Sequence, residues 1–212
     1  MMHPEVLPPI QQACLRQLGP AAEMLGFYMA GGTAVAIQLG HRQSIDFTWM
    51  SVEFPVEAVE VADAFQKKGV DLQATSLARR TFHGTSAGVR VSFLEFRPRL
   101  IAPLIEWQEF GCRLASLDDL AAMKLLAVAQ RGTKKDFIDV YALGRFFSLA
   151  EMLDCYRLKF AVDDISRVLA GLCYFDDANA QPMPTMLANA GDVTDWACVQ
   201  ATIAGWVRAV AS

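Results

Sequence analysis

The sequence is short of most features that would place it at once. It has no CxxC pair. Cys14, Cys112, Cys155, Cys173 and Cys198 are scattered over 212 residues. Their odd number and wide spacing argue against a disulfide framework or a metal cage, so they read as buried thiols. No uninterrupted run of about 18 apolar residues occurs, so no membrane span is expected. The opening MMHPEVLPPIQQ carries an acid and prolines and lacks a basic-then-apolar leader, which points to the cytoplasm. Positive charge is not in excess: 19 Lys and Arg stand against 23 Asp and Glu, a net −4. Any contact with nucleic acid would therefore come from a local patch. There is no GxGxxG after a strand, no GxxxxGK[ST] and no GxSxG, which leaves Rossmann, P-loop and serine-hydrolase readings unsupported. His3, His41 and His83 pair with no Ser or Cys by any motif. His83 reads as a surface or hydrogen-bonding residue, and only His41, next to Arg42, falls near a candidate site. There is no internal repeat and no low-complexity tract.

Apolar residues are plentiful at 53%, against 20% charged. That suffices for one large domain or two small ones with a real core. It also leaves apolar surface that favours a partner or self-association.

The chain is organised around FYMAGGTAVAIQLGHRQSIDFTWMS, residues 27 to 51. Phe27 to Ala30 reads as a short strand ending at Gly31-Gly32, where the backbone can turn sharply and be closely approached. Thr33 is placed to cap the helix that follows, Ala34 to Leu39, which Gly40 stops. His41 and Arg42 then precede a strand whose acid, Asp46, points away from its apolar face. Glycine amides at a helix start form an anion site, and a carboxylate on the adjacent strand suits Mg²⁺ with substrate phosphates. A tight strand–helix turn with a surface acid fits the same residues equally well.

Elsewhere, Ile10 to Leu25 has helical spacing and should break or kink at Gly19-Pro20. Pro55 opens a helix to about Lys68, with Val59, Ala62 and Phe65 on one face. Val70 to Arg79 reads as a strand. Arg80 to Phe96 reads as a hairpin turning at GTSAG, with Arg90, Ser92 and Leu94 on one face of its exit strand. Composition shifts at Ser116, which caps a helix whose first turn holds Asp118 and Asp119. Further helices follow over KKDFIDVYALGRFF, SLAEMLDCYRLKFA and DDISRVLAGLCYF. Asp176 to Gly191 reads as a loop, and Asp192 to Val210 as a last helix capped by Asp192 or Thr194. The architecture expected is α/β (α+β): a mixed sheet with flanking helices over 1–113, then a helical bundle over 114–212.

A second informative block is SLDDLAAMKLLAVAQRGTKKDFIDVYAL. Lys124, set among apolar residues, must reach water or meet an anion. Lys124 and Arg131 are two turns apart and project from similar faces. Arg131, Lys134, Lys135 and Asp136 cluster at an interhelical turn, with Asp139 one turn beyond Asp136. By residue pattern alone, a solvated turn explains this cluster.

Together the two blocks resemble the signature of the nucleotidyltransferase superfamily, specifically the AbiEii/AbiGii toxin family. That family shows a strand, a GG or GS pair, a helix and a strand bearing Asp-x-Asp. An A-x-x-K helix and an R-G-x-x-K-D-F-x-D turn and helix come later. GGTAVAIQLGHRQSIDF matches as far as Asp46, and Lys124, Arg131, Lys135, Asp136, Phe137 and Asp139 occupy the later positions. The resemblance covers roughly residues 25 to 145. Two acids are missing: position 48 is Thr48, and Ser92 lies where many nucleotidyltransferases carry a third acid. Glu95 points to the face opposite Ser92.

The resemblance implies a nucleotidyltransferase fold, an NTP substrate, Mg²⁺, transfer to an RNA or protein acceptor, and an antitoxin partner. It implies Asp46, Lys124 and Asp136 as catalytic, with Lys124 neutralising phosphates, and Asp139 as structural. Gly31, Gly32, Thr33, Arg42 and Lys135 would bind nucleotide, and Asp46 with Thr48 would hold the metal. Two-metal displacement needs about two or three carboxylates together. Three readings therefore stand: an active Mg²⁺-dependent transferase, an impaired relative that binds nucleotide, RNA or a protein partner, and a plain structural or interaction protein, for which only the high apolar content speaks.

Overall fold

The structure, a computed structural model, describes residues 2–187 and 195–211. Strands β1 (Tyr28–Ala30), β2 (Asp46–Ser51), β3 (Gln73–Ala78), β4 (Thr81–Ser86), β5 (Val89–Glu95), β6 (Ile105–Trp107) and β7 (Cys112–Leu114) form one sheet. Their order is β3-β4-β5-β2-β1-β7-β6. The sheet is mixed: β2 runs parallel to β5 and β1 parallel to β7, and the other pairs are antiparallel. Around it lie α1 (Pro9–Met24), α2 (Gly31–Leu39) and α3 (Val61–Gln66). The C-terminal half holds α4 (Leu117–Gln130), α5 (Lys134–Leu143), α6 (Leu149–Phe160), α7 (Ser166–Cys173), α8 (Asp176–Asn179) and α9 (Trp196–Ala211). The α/β architecture with a helical second half is therefore present. Among the described residues no helix is long and apolar enough to cross a membrane.

Alternation along β2 and β5 sorts the sheet into two faces. Phe47 and Trp49 of β2 and Val89, Val91 and Phe93 of β5 are buried. Phe93 is the centre of an aromatic cluster, with ring centroids 4.9 Å from Phe27 and 4.6 Å from Phe65 of α3. The opposite face carries Asp46, Thr48, Arg90 and Ser92, none of them buried. The hairpin turns on two residues, Ala87 (φ 48°) and Gly88 (φ 78°), a left-handed pair that matches strand twist.

Four local expectations are corrected. First, α1 runs unbroken through Pro20. Tertiary packing holds it there: a Cβ on Gly19 would lie 2.3 Å from the Phe110 carbonyl, and one on Gly111 would lie 2.9 Å from Pro20 Cγ. Arg16 also lies over the Phe110 ring, 4.4 Å from its centroid. Second, no helix starts at Pro55. A 3₁₀ turn spans Ala58–Glu60 and α3 follows, burying Ala58, Val61 and Phe65 while Val59 points to solvent. Third, α8 forms inside the expected loop. Fourth, the hairpin turn is narrower than GTSAG, because Gly84 to Ser86 remain in β4. The proposed caps Asp192 and Thr194 lie outside the described residues.

Glycine to alanine inside a helix ordinarily stabilises by up to about 1 kcal/mol. At Gly19 the close carbonyl reverses the sign. Gly19→Ala is expected to destabilise the protein by about 1–3 kcal/mol, read as a lower urea midpoint.

Candidate active site

The site begins at the β1–α2 junction. Gly31 has φ +69°, a conformation that strains other residues, and its bare Cα leaves room for Thr48, 3.4 Å from where a Cβ would stand. Thr33 does not cap α2. Its hydroxyl turns inward, lying 2.7 Å from Ser44 Oγ and donating to the Asp46 carbonyl, so it ties α2 to the start of β2. Gly40, at φ +67°, closes α2 as expected.

Gly32 faces something the sequence does not announce. A Cβ there would fall 2.6 Å from Arg42 Nη2, 3.4 Å from Asp139 Oδ2 and 3.5 Å from Lys124 Nζ. These groups belong to a buried ionic cluster. Arg42 grips Asp139 with two bonds, Nε to Oδ1 at 2.7 Å and Nη2 to Oδ2 at 2.9 Å. Lys124 Nζ lies 2.7 Å from Asp139 Oδ2 and 3.0 Å from Asp136 Oδ1. His41 Nε2 is 2.8 Å from Asp139 Oδ1. Asp136 further accepts from Arg131 Nε (2.8 Å), Arg131 Nη2 (3.0 Å) and Thr133 Oγ1 (2.6 Å). The anion that Lys124 needs is thus supplied by the chain itself. Arg42 and Lys124 are buried and committed to carboxylates, while Lys135 is exposed.

Burial alone would push the Asp139 carboxyl up. The charges of Arg42 and Lys124 and the hydrogen bonds from His41 and Arg42 instead hold it well below the usual range. Burial acts likewise on Asp136, and Arg131, Lys124 and Thr133 hold it low. Burial pushes the His41 ring down, so it is neutral, and its Nε2–H donates to Asp139. Its Nδ1 is buried with no hydrogen-bond partner among the described residues.

The second part of the site is the open sheet face. Register sets Asp46 beside Arg90 and Thr48 beside Ser92, and on β4 sets His83 beside Ser92. Arg90 grips Asp46 through Nε to Oδ1 (2.9 Å) and Nη2 to Oδ2 (3.1 Å). His83 Nδ1 lies 2.8 Å from Ser92 Oγ. Arg90 and His83 were not among the sequence-derived site residues. Period two on β5 put Arg90 and Ser92 on one face, but the parallel β2–β5 register that brings them to Asp46 and Thr48 leaves no local sequence signal. Glu95 is held by Arg80 and Arg97 at the strand end, away from this row.

Among the described residues no group of three or more His, Cys, Asp or Glu could hold a metal ion. The donor chemistry of the row explains why. It offers one carboxylate, with both oxygens taken by Arg90, beside two hydroxyls and an imidazole. Mg²⁺ prefers anionic oxygens, and a two-cation centre needs several. The row does not fit the metal expected at Asp46 and Thr48.

Between the two parts lies a cleft of about 350 Å³, lined by Arg42, Asp46, Lys135, Gln181, Met183 and Thr185. Its far wall is strapped on by Gln43 N donating to the Thr185 carbonyl (2.8 Å) and Leu187 N to the His41 carbonyl (3.2 Å).

Two outcomes follow from the cluster. Asp139→Asn, which leaves Arg42 and Lys124 buried without a full counter-charge, is expected to cost about 3–5 kcal/mol in chemical denaturation. Stability should also fall with acid in two phases. His41 stays neutral in the fold but protonates when unfolded, so stability drops as pH falls below about 6.5. Asp136 and Asp139 resist protons that unfolded carboxylates accept, so a steeper loss begins below about pH 5. His41→Gln should remove only the upper phase.

The family model and one solved structure agree with this architecture. The family model described as nucleotidyl transferase AbiEii toxin, type IV toxin–antitoxin system, matches residues 51–195. An uncharacterized protein of Aquifex aeolicus (strain VF5) is 33% identical over 158 residues, covering 73% of this chain and 76% of the relative. MenT4, a nucleotidyltransferase toxin from Mycobacterium tuberculosis H37Rv, shares the fold with a TM-score of 0.59 at 14% identity, over 93% of this chain and 81% of that one. The Megavirus polyadenylate synthase gives a TM-score of 0.48 at 15% identity over 64% of this chain, which spans 31% of that protein. With the family match covering more than half its length, the chain belongs to the nucleotidyl transferase AbiEii toxin family.

Proposed function

We propose that the chain binds a nucleoside triphosphate in the cleft between β2 and the start of α5, as a family member whose transfer chemistry is impaired. The observation that carries this is the Thr48–Ser92 pair beside a single acid, Asp46, already held by Arg90. Charge supports the binding half. Arg42, Arg90, Lys124, Arg131 and Lys135 surround the region against Asp46, Asp136 and Asp139, a local positive surplus in a chain of net charge −4. Such a surplus suits a phosphate chain. Lys135, exposed on the cleft wall, contacts the phosphates. The amides of Gly31, Gly32 and Thr33 at the start of α2 supply further donors. Lys124 and Asp136 hold the α4–α5 turn in place and Arg42 holds the α2 start, so these three act as positioning residues.

A second reading keeps the transfer reaction: a nucleotide passed from NTP to an RNA or protein acceptor. Asp46 favours it, because its side chain is 41% exposed and Arg90 is 68% exposed. A surface pair of that kind is worth at most about 1 kcal/mol and gives way to a stronger ligand. In either reading the chain works in the cytoplasm as one member of a toxin–antitoxin pair. Its working units are residues 1–113 and 114–212, joined by the ionic cluster.

The test is calorimetric titration of the four NTPs, followed by turnover assays against RNA and protein acceptors. Binding should weaken about tenfold in Lys135→Ala, the loss of one charge-assisted phosphate contact. The native chain should turn over nothing detectable, and Thr48→Asp should raise turnover. Native turnover unchanged by Thr48→Asp would favour the second reading. Absence of binding for every NTP would overturn both.

A further inference from the structure

The open row on the sheet is unsuited to a cation, and its chemistry points the other way. Taken together, Thr48, Ser92, His83 and Arg90 are hydrogen-bond donors. Hydroxyls donate one bond each, a neutral imidazole donates one, and a guanidinium carries five N–H groups, of which Asp46 occupies two. Among the described residues Thr48 Oγ1 has no hydrogen-bond partner. His83 spends only Nδ1 on Ser92 and keeps its other ring nitrogen free. The row is continuous, because the strand registers place Arg90 beside Asp46, Ser92 beside Thr48, and His83 beside Ser92. It starts beside the α2 N-terminus, where Gly31 packs against Thr48.

We propose that the Thr48–Ser92–His83–Arg90 row is a metal-independent anion subsite that receives the phosphate chain of the nucleotide. The inference rests on the nucleotide-binding reading above and adds where the phosphates go and what neutralises them. Arg90 changes partner, releasing Asp46 to meet phosphate oxygens with its planar fork. The bond between His83 and Ser92 uses one of their two donors, so with Ser92 donating to Nδ1 the pair presents His83 Nε2–H, and Thr48 adds its unpaired hydroxyl. Asp46 then becomes a competitor for Arg90, the opposite of a metal ligand's role.

That reversal gives the test. ATP and inorganic tripolyphosphate are titrated into the full chain in EDTA, then with MgCl₂. Both are expected to bind in EDTA, with no gain from Mg²⁺. His83→Ala and Arg90→Ala should each weaken binding about tenfold. Asp46→Asn should tighten it severalfold by freeing Arg90. Arg90 is exposed, so Arg90→Ala keeps the test valid if His83→Ala fails to fold. In the native chain, histidine ring resonances should shift on adding tripolyphosphate, and this shift should be lost in His83→Ala. Binding that needs Mg²⁺ and disappears in Asp46→Asn would overturn this subsite yet leave nucleotide binding intact. Absence of binding under every condition would overturn both.

Discussion

Everything near the cleft depends on the charges buried around Asp139. Removing one ion from water costs several kcal/mol even after relaxation, so such a cluster persists only when every member is paired. Here the members come from distant parts of the chain. His41 and Arg42 follow α2, Lys124 sits mid-α4, and Asp136 and Asp139 lie on α5. If any of the four charged members is displaced, its partner is left with less counter-charge. The start of α2 is tied to the same demand, since a Cβ at position 32 would fall 2.6 Å from Arg42 Nη2 and make the guanidinium shift.

A second junction of the same kind docks the helical half on the sheet half. Asp119 is fully buried, accepts a hydrogen bond from Lys159, and accepts from the amides of Ile101 and Ala102. Lys159 also donates to the Arg99 carbonyl. Each junction pairs a lysine of one helix with an aspartate of another. Each also makes a backbone contact with the sheet half: Asp119 with the stretch after β5, and Arg42 with the Gly32 carbonyl. The aromatic cluster around Phe93 supplies bulk burial, whereas these pairs set which loop meets which helix.

Much of this was legible from residue pattern. The glycine pair, the stop at Gly40, the Asp46 strand, the hairpin and the helix from Ser116 all emerge where short-range chemistry decides. Asp139, read as structural, is buried against Arg42, Lys124 and His41. What escaped was nonlocal. Thr33 looked like a cap because a cap needs only its own first turn, but a better partner waited at Ser44, across a loop. Pro20 looked like a break because its neighbours in space, Phe110 and Gly111, are some ninety residues away in sequence. Arg90 gained meaning only when parallel pairing of β2 with β5 set it beside Asp46, and His83 only when the same pairing set its hairpin neighbour Ser92 beside Thr48. Lys124 was placed correctly between two options, water or an anion, and the fold chose an internal anion.

The demand that Gly32, Arg42, Lys124, Asp136 and Asp139 remain together has an evolutionary reading. Thr48 takes part in none of those contacts, so a lineage can change position 48 without harming them. The reverse is closed to it, because the cluster cannot drift one residue at a time. Among descendants of such a protein, these five positions would survive as an invariant set long after catalysis had gone. A census of relatives that counts them as a mark of activity would then overcount the active ones.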